Sequence, residues 1–241
     1  MQRLDIYLKT LLSSRTKAQE AIESGCVRVN GKVVYKSSLP LKSSDEVDID
    51  TQGLLLGRAG YKLRGFFEEL VCKGLWEEGY LVGKRALDIG SSTGGFAQVL
   101  LNFGVSEIVC VDVGKNQLHQ NMRDDERVRV FEECDVREFE PCEYFDIVVC
   151  DVSFISLYKL MESFERLVSA ECIWLFKPQF EVGRAAKRDK KGVLKDKTLA
   201  HIALADFCAY VQTRGFRILH TSQSILSGKE GNEEFFVYVQ R

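Results

Sequence analysis

Residues 85–96, RALDIGSSTGGF, join a short apolar run to a turn of small residues and the beginning of a helix. Further strand-like runs follow and alternate with helix-like stretches, in the order GFAQVLLNF, EIVCVDV, VRVFEE, FDIVVCD, SLYKLMESFERLV and CIWLFK. This alternation is typical of a parallel sheet covered by helices on both faces. The predicted fold class is α/β and Rossmann-like, with ligands bound beyond the carboxyl ends of the strands.

The turn after the first strand has the composition of a nucleotide-binding turn. Its small residues let a ligand approach the backbone, although their spacing is not that of the G-x-G-x-x-G motif. The second strand ends at Asp112, 22 residues beyond Gly90, where an acidic side chain can hold a ribose diol. Nicotinamide cofactors and S-adenosylmethionine both use such a site. GSSTGG favours S-adenosylmethionine, whose positive sulfonium also suits nearby carboxylates such as Asp88 and Asp151.

The order of elements towards the C-terminus favours the same cofactor. A helix is predicted at about 198–213, and two strands, FRILHTS and EFFVYVQ, follow it. These strands resemble the terminal hairpin of the methyltransferase version of the fold, in which the last strand inserts antiparallel. We therefore predict a seven-stranded methyltransferase domain.

A lysine ends the apolar run of residues 171–184, ECIWLFKPQFEVGR. Pro178 prevents the strand from continuing regularly, and a buried ammonium group is costly unless it is paired. Lys177 therefore either reaches solvent or has a function at the carboxyl edge of the sheet. A neutral amine would act there as a base, whereas a charged amine would orient an acceptor group.

The residues around Asp151 narrow the choice of methyl acceptor. Val152-Ser153-Phe154 is not the Asn/Asp-Pro-Pro-Tyr/Phe loop with which amino-group methylases hold a base, so a nitrogen acceptor is disfavoured. Carbon-5 methylation of pyrimidines needs a thiolate, and Cys142 precedes the fourth strand, at the wrong edge of the sheet. An oxygen acceptor such as a ribose 2′-hydroxyl remains, and Lys177 is the candidate to position or deprotonate it.

Composition limits the remaining possibilities. The chain has 241 residues, a mass of 27.4 kDa and a net charge of −2, so any contact with nucleic acid must use local basic patches. Eight cysteines without a C-x-x-C pair, beside three histidines, argue against a zinc site or a disulfide scaffold and for a reducing cytosol. No metal site, signal peptide or membrane-spanning run is expected, and the predicted location is cytoplasmic.

The N-terminal segment is basic, in contrast to the rest of the chain. From Met1 to Lys42 it contains eight Lys/Arg and three Asp/Glu, a local net charge of +5. Ser13-Ser14 can cap a helix over about 16–24, and Gly25 can end it. Asn30-Gly31 is the dipeptide preferred in a two-residue hairpin turn.

The run from Arg3 to Ile49 resembles the S4 RNA-binding domain in its RLD, SR and VNG motifs and in its closing DEVDI segment. The resemblance implies binding of structured RNA through shape and phosphate contacts. The expected RNA-binding residues of this domain are Arg3, Arg15, Lys17, Arg28, Lys32 and Lys36.

The chain as a whole is similar to the TlyA family of ribosomal-RNA 2′-O-methyltransferases, which is related to the FtsJ-like RNA ribose methylases. The similarity rests on the S4 domain together with RAGYKL, DIGSSTGGF, VDVG, CDVSFISL, KPQFEVGR and GNEEFF. The resemblance implies a Lys-Asp-Lys-Glu catalytic set. By motif this set falls on Lys62, Asp151, Lys177 and Glu234, with Glu233 as the alternative to the last.

The same resemblance implies S-adenosylmethionine as the cofactor. The residues expected to contact it are Gly90, Ser91, Thr93 and Gly94 at the methionine end, Asp112 at the ribose and Asp135 near the adenine, besides Asp88 and Asp151. Asp135 departs from the asparagine expected in relatives. The implied reaction is methylation of a cytidine ribose, mainly in 23S rRNA, with 16S rRNA left open. The implied partner is ribosomal RNA or a ribosomal subunit, and neither DNA nor a membrane is expected to bind.

A second basic segment follows the proposed catalytic lysine. Residues 183–197 contain seven Lys/Arg and two Asp, a net charge of +5. We expect a mobile loop that becomes ordered on RNA and contacts it through Arg184, Lys187 and Arg188.

The predicted domain boundaries are 1–50 for the S4 domain, 51–58 for a linker and 59–241 for the methyltransferase domain. Two other functions are alternatives at this point, a non-catalytic RNA-binding or ribosome-assembly protein and a membrane-active haemolysin. The second is disfavoured because no spanning segment or cationic amphipathic helix is evident.

Overall fold

The computed structural model describes residues 2–12, 14–51, 53–183 and 186–241. Its N-terminal domain combines helices with short strands. The helices are α1 (Leu4–Leu12) and α2 (Arg15–Glu23), and the strands are β1 (Gln2–Arg3), β2 (Val27–Val29), β3 (Lys32–Val33), β4 (Pro40–Leu41) and β5 (Val47–Ile49). β2 pairs antiparallel with both β3 and β5, and β1 pairs with β4.

Local turn chemistry explains the form of this domain. α2 begins after Ser14, whose Oγ accepts a hydrogen bond from the Lys17 backbone N–H at 3.1 Å. Asn30 and Gly31 join β2 to β3 with φ angles of 52° and 75°, the conformation that a two-residue hairpin turn requires. The predicted helix and hairpin are confirmed, although the helix lies one residue earlier at each end. Ser13 lies outside the described residues.

The larger C-terminal domain alternates strands and helices. Its strands are β6 (Arg85–Ile89), β7 (Glu107–Val111), β8 (Val128–Phe131), β9 (Phe145–Cys150), β10 (Val168–Phe176), β11 (Arg217–Gln223) and β12 (Phe235–Gln240). Its helices are α3 (Gly57–Cys72), α4 (Gly95–Asn102), α5 (Gln120–Arg123), α6 (Met161–Leu167), α7 (Pro178–Glu181) and α8 (Lys197–Thr213), and a 3₁₀ helix spans Leu157–Leu160. Among the described residues, no helix has both the length and the apolar character to span a membrane.

The strands of this domain form one seven-stranded sheet in the order β11-β12-β10-β9-β6-β7-β8. The five strands from β10 to β8 in this order are parallel, and β12 lies antiparallel between β10 and β11. The predicted insertion of an antiparallel last strand is therefore confirmed, and with it the methyltransferase form of the Rossmann-like fold. The strand order reverses between β6 and β9, so a ligand crevice is expected at the carboxyl ends of these two strands.

The apolar run of β10 is explained by burial on both faces of the sheet. Trp174 and Phe176 belong to the core formed with α6 and α8, whereas Leu175 belongs to the core formed with α3 and α4. The Trp174 ring is inaccessible to solvent and its centroid lies 5.0 Å from that of Phe164 and 5.5 Å from that of Phe207. The second half of β10 is thus a buried support for the position that follows it.

α3 joins the two domains. It begins at Gly57, inside the segment predicted as a linker. Tyr61 of this helix packs into the core of the N-terminal domain, and its Oη accepts a hydrogen bond from the Leu55 backbone N–H at 3.0 Å. Arg58 forms an ion pair with Glu23 of α2 at 2.5 Å. α3 thus contacts both domains, and the exact domain boundaries stay a prediction.

Removal of the Trp174 side chain should destabilise the C-terminal domain strongly. Trp174→Ala should lower the free energy of unfolding by about 3–5 kcal/mol, because the surrounding strands and helices cannot close the cavity. Urea denaturation followed by circular dichroism measures this loss. Ile202→Ala on α8, where the side chain is 51% exposed, is the control and should change stability by less than about 0.5 kcal/mol. Equal losses in the two variants would contradict the assigned core.

Candidate active site

Two adjoining cavities lie at the carboxyl edge of the sheet. Their volumes are about 540 Å³ and about 180 Å³. The wall residues that they share are Gly90, Ser92, Asp151 and Ser153. The larger cavity is also bordered by Asp112 at the end of β7, and the smaller one by Lys177 at the end of β10. The residues that follow four neighbouring strands therefore meet at one place.

The glycine turn after β6 forms part of the wall of both cavities. Gly90 has a φ of 78°, and a Cβ there would lie 3.0 Å from the Asp151 carbonyl oxygen, so a side chain would displace the backbone after β9. Ser91 and Thr93 border the smaller cavity and not the larger one, and their contact with a cofactor stays a prediction. Gly94 instead is the N-cap of α4 with a φ of 93° and borders neither cavity. Its contact with the cofactor stays a prediction.

Two acidic side chains border the larger cavity in the predicted positions. Asp112 is oriented by backbone N–H groups, since its Oδ2 accepts a hydrogen bond from Ser92 at 2.8 Å and its Oδ1 from Gly114 at 2.7 Å. Asp135 is paired with Arg137, whose Nε lies 3.0 Å from Oδ1, and hydrogen bonds from Arg137 lower the pKa of Asp135. Their contacts with a cofactor stay predictions.

Asp88 lies behind the cavity wall. It is inaccessible to solvent and borders neither cavity. Its carboxyl oxygens accept no well-formed hydrogen bond from the described residues. Burial first, and then the charges of Asp151 and Asp112, raise the pKa of Asp88 well above its ordinary range, although the nearby Ala97 backbone N–H opposes this shift in part. The direct contact expected between Asp88 and a cofactor stays a prediction, and the burial of this carboxyl group does not favour it.

Lys177 is held between two groups of the loop that follows β9. Its Nζ lies 2.6 Å from Asp151 Oδ1 and donates a hydrogen bond to Ser153 Oγ at 2.8 Å. Only 8% of Lys177 is accessible, so the amine does not extend into bulk water. All three residues border the smaller cavity. A buried ion pair is a poor source of net stability, which favours a functional explanation for this one.

A second buried ion pair joins α3 to the beginning of β12. Lys62 Nζ lies 2.6 Å from Glu234 Oε2, and both residues are almost fully buried. Glu233 instead pairs with the exposed Lys197 at 2.8 Å. Of the two glutamates that the motif left open, the geometry thus favours Glu234. This second pair borders neither cavity, in contrast to Lys177 and Asp151.

The basic residues predicted in the N-terminal domain fall into two groups. Arg3 and Arg15 both contact buried Asp5, each with its Nε 3.0 Å from a carboxylate oxygen. Burial alone would raise the pKa of Asp5, but hydrogen bonds from the two arginines and from Gln19 outweigh it and lower the pKa to about 2. These arginines are therefore partly engaged in holding the fold together. The predicted RNA-binding residues that are exposed without this role are Lys17, Arg28, Lys32 and Lys36.

The second basic segment is folded into a turn in its described part. Arg188 forms a β-bridge with Leu194, and its guanidinium donates hydrogen bonds to the backbone carbonyls of Gln179, Gly183 and Ala186. Part of the Arg188 guanidinium is therefore used within the protein, and its contact with RNA stays a prediction. Lys187 is exposed, and Arg184 lies outside the described residues.

Asn232 anchors this turn to the loop that precedes β12. Its Oδ1 accepts a hydrogen bond from the Leu194 backbone N–H at 3.0 Å, and its Nδ2 donates to the Gly192 carbonyl at 3.3 Å. The described residues of the segment are thus hydrogen-bonded to the loop that carries Glu234, and the expected ordering of the segment on RNA stays a prediction.

Ser153 and Phe154 are site residues that the sequence did not single out. Ser153 borders both cavities and accepts a hydrogen bond from Lys177. Phe154 is 91% exposed, borders the larger cavity and has a φ of 66°, a backbone conformation that is rare for residues other than glycine. Their position directly after Asp151 was the signal from which they could have been found.

This sheet topology, with paired charges at its carboxyl edge, defines a methyltransferase of the Rossmann-like class. Comparison with protein-family models agrees, since residues 55–241 match the FtsJ-like methyltransferase model and residues 2–47 match the S4 domain model. The chain belongs to the FtsJ-like methyltransferase family and carries an S4 domain in front of the catalytic domain.

Full-length relatives refine this assignment. The chain is similar to the 23S rRNA (cytidine-2′-O)-methyltransferase TlyA of Campylobacter jejuni, with 41% identity over 98% of each chain. It is 32% identical to the 16S/23S rRNA (cytidine-2′-O)-methyltransferase TlyA of Mycobacterium tuberculosis, over 98% of this chain and 88% of that one. A solved structure that carries the name hemolysin, from Streptococcus thermophilus, has 28% identity and a TM-score of 0.70, covering 100% of this chain and 88% of that one. The resemblance to the TlyA family is thus confirmed.

Asp88→Asn should change how stability depends on pH. An aspartate whose pKa is raised by folding binds its proton more tightly in the native state, so the wild-type protein loses stability as the pH rises from the unfolded value of about 4 towards the native one. The variant lacks this loss, and its stability relative to wild type should increase with pH across that window. Urea denaturation at several pH values measures the difference. Asp48→Asn, at an exposed site, is the control, and a difference for Asp88→Asn that does not vary with pH would contradict the raised pKa.

Proposed function

We propose that this protein transfers a methyl group from S-adenosylmethionine to the ribose 2′-hydroxyl of a cytidine in ribosomal RNA. The observation that carries the reaction type is the buried Lys177–Asp151 pair, which borders a cavity at the carboxyl edge of a methyltransferase sheet. The substrate class is supported by the S4 domain and by the two TlyA relatives that are named as rRNA cytidine-2′-O-methyltransferases.

The larger cavity suits S-adenosylmethionine in size and in chemistry. Its volume of about 540 Å³ lies within the range of small-molecule sites, about 300–1,000 Å³. Asp112 offers oriented carboxylate oxygens to a ribose diol, and Asp135 would stand at the adenine end. The side-chain-free backbone at Gly90 would hold the methionine end. When bound, the cofactor supplies an electrophilic methyl group on a sulfonium, whose positive charge suits the neighbouring Asp151 carboxylate.

Lys177 is placed to orient the acceptor hydroxyl in the smaller cavity. A lysine ammonium has three N–H donors, and Asp151 and Ser153 are the partners of two of them. The third is available for the oxygen of an acceptor hydroxyl, which would be held in one orientation towards the cofactor cavity. The Lys62–Glu234 pair completes the catalytic set that the family resemblance implies.

Two basic surfaces would contact RNA phosphates. The residues of the first, on the S4 domain, are Lys17, Arg28, Lys32 and Lys36, and those of the second, on the turn after the catalytic lysine, are Lys187, Lys190 and Lys191. Phosphate contacts supply affinity and register but little sequence information, so selection of one cytidine would depend on the shape of the RNA.

We propose 23S rRNA as the main substrate, because the relative with 41% identity is named for 23S rRNA alone, and the relative named for both 16S and 23S rRNA is 32% identical. The partner would be this RNA or the large ribosomal subunit, in the cytoplasm. Mass-spectrometric mapping of ribose methylation in ribosomes from cells with and without the gene tests the proposal. Identical maps would refute it and favour a non-catalytic role in RNA binding or ribosome assembly.

Lys177→Ala should slow methyl transfer strongly and weaken cofactor binding much less. With tritiated S-adenosylmethionine and ribosomal RNA, the rate should fall by about 10²-fold or more, because the acceptor hydroxyl is no longer held in one orientation. Calorimetry measures the affinity for the cofactor in the same preparations. Lys159→Ala removes an exposed lysine of the 3₁₀ helix and should keep the wild-type rate. Full activity of Lys177→Ala would rule out the role proposed for this amine.

Phe154→Ala should weaken RNA binding. The ring is 91% exposed beside the larger cavity and lies 5.3 Å from the ring of Phe180, so it can offer a face on which an unpaired base stacks. Loss of one stacking partner should reduce RNA affinity by about 1–3 kcal/mol, roughly 5- to 150-fold, whereas Phe154→Tyr should stay near wild type. Filter binding measures the affinity. Tyr144→Ala removes another exposed ring, 79% accessible, and is the control; an equal effect of the two alanine variants would argue against stacking at Phe154.

A further inference from the structure

Two loops leave the sheet side by side, one after β9 and one after β10, and they are connected at two levels. At the first level, next to the strands, Lys177 contacts Asp151 and Ser153. At the second level, one turn further along α7, Glu181 reaches the loop after β9 at the beginning of the 3₁₀ helix. The first contact belongs to the proposed catalytic set, and the second has no role in it.

The Glu181 carboxylate uses both of its oxygens in this second contact. Oε2 accepts a hydrogen bond from Ser156 Oγ at 2.5 Å, and Oε1 accepts one from the Leu157 backbone N–H at 2.9 Å. Ser156 Oγ in turn accepts a hydrogen bond from the Tyr158 backbone N–H at 3.2 Å and so caps the 3₁₀ helix. Burial raises the pKa of Glu181, and the donors Ser156 and Leu157 oppose that shift. Hydrogen bonds to a carboxylate are stronger than those between neutral groups, so this contact fixes the far end of the loop.

The segment between the two contacts forms one wall of the larger cavity. Residues 152–155 all border it, and Phe154 among them has a φ of 66°. A backbone conformation of this kind is strained and persists only where its surroundings impose it. Lys177 holds the segment at one end and Glu181 at the other, so the two contacts together impose this conformation.

We propose that Glu181 is a positioning residue of the methyltransferase, which acts through Ser156 and Leu157 to hold the wall 152–155 in the shape that binds the cofactor and presents Ser153 to Lys177. This inference rests on the proposed function, because it assigns a role in the same site. A glutamate is needed because two donors converge on it. Glutamine would retain one acceptor oxygen, and alanine would retain none.

Glu181→Ala should have two effects that can be measured separately: weaker binding of the cofactor, and slower methyl transfer when the cofactor is saturating. We expect about a tenfold loss of affinity for S-adenosylhomocysteine by calorimetry, and about a 10²-fold loss of rate at saturating cofactor, since misplacement of catalytic groups by 1 Å has effects of this size. Glu181→Gln should recover a large part of both. Hydrogen exchange of the amides of residues 152–157 should be faster in Glu181→Ala than in wild type without any ligand, which reports on the wall independently of activity.

Glu165→Ala is the matched control. Glu165 of α6 also uses both carboxylate oxygens, accepting hydrogen bonds from Arg214 at 2.6 and 2.8 Å, but it contacts neither loop. The Glu165→Ala variant should have a lower melting temperature. Its affinity for the cofactor, its rate of methyl transfer and its amide hydrogen exchange in residues 152–157 should equal those of wild type. If Glu181→Ala behaves like Glu165→Ala, Glu181 is only a structural residue and the proposal is overturned.

Ser156→Ala removes the hydroxyl that donates to Glu181 and therefore tests the same contact. It tests the proposal even if Glu181→Ala does not fold. It should show the same faster exchange and weaker cofactor binding, and wild-type values would overturn the proposal. Failure of the proposed function is distinguishable, because it would appear as absence of methyl transfer by the wild-type protein. The exchange comparison would still decide whether Glu181 holds the wall.

Discussion

The buried ion pair between Lys177 and Asp151 is the constraint on which the site depends. Two charges can stay out of water only when each has a partner at short range, and here the partners come from the ends of adjacent parallel strands. Trp174 lies opposite Cys150 in the register of β10 and β9, so Lys177 stands two positions beyond the level of Asp151. The long lysine side chain covers this offset. A register shift of one residue would turn the side chains of β10 to the opposite faces, so the pair and the strand register require each other.

The apolar sheet supplies the rigidity that such a pair needs. β10 is covered on both faces, and its close-packed neighbours leave its last residue little freedom. The second pair, Lys62 and Glu234, is likewise confined, since a Cβ at Gly228 would already lie 2.5 Å from Glu234 Oε1. The charged groups of the site thus come from several segments, and packing at a distance from the cavities sets their positions. Catalysis by orientation depends on this kind of preorganisation.

Two consecutive residues of α3 link the S4 domain to the candidate active site. Tyr61 is part of the hydrophobic core of the S4 domain, and Lys62 forms the buried pair with Glu234 at the edge of the catalytic sheet. The ion pair between Arg58 and Glu23 adds a polar contact between the same domains. A movement of the S4 domain would therefore also displace Lys62, because Tyr61, which packs in that domain, and Lys62 are consecutive residues of one helix. The S4 domain is in this way part of the support of the proposed catalytic set.

The sequence by itself determined the features that depend on near neighbours in the chain: the alternation of strands and helices, the hairpin at Asn30-Gly31, and the place of Lys177 at the end of a buried strand. Periodicity and turn chemistry are local, so they can be read without coordinates. Only the tertiary structure decided that Glu234 and not Glu233 pairs with Lys62, that Asp88 lies behind the cavity wall, and that the Arg188 guanidinium donates to nearby backbone carbonyls. These outcomes depend on which side chains meet after folding, often across a hundred or more residues, and neither periodicity nor turn chemistry specifies such meetings.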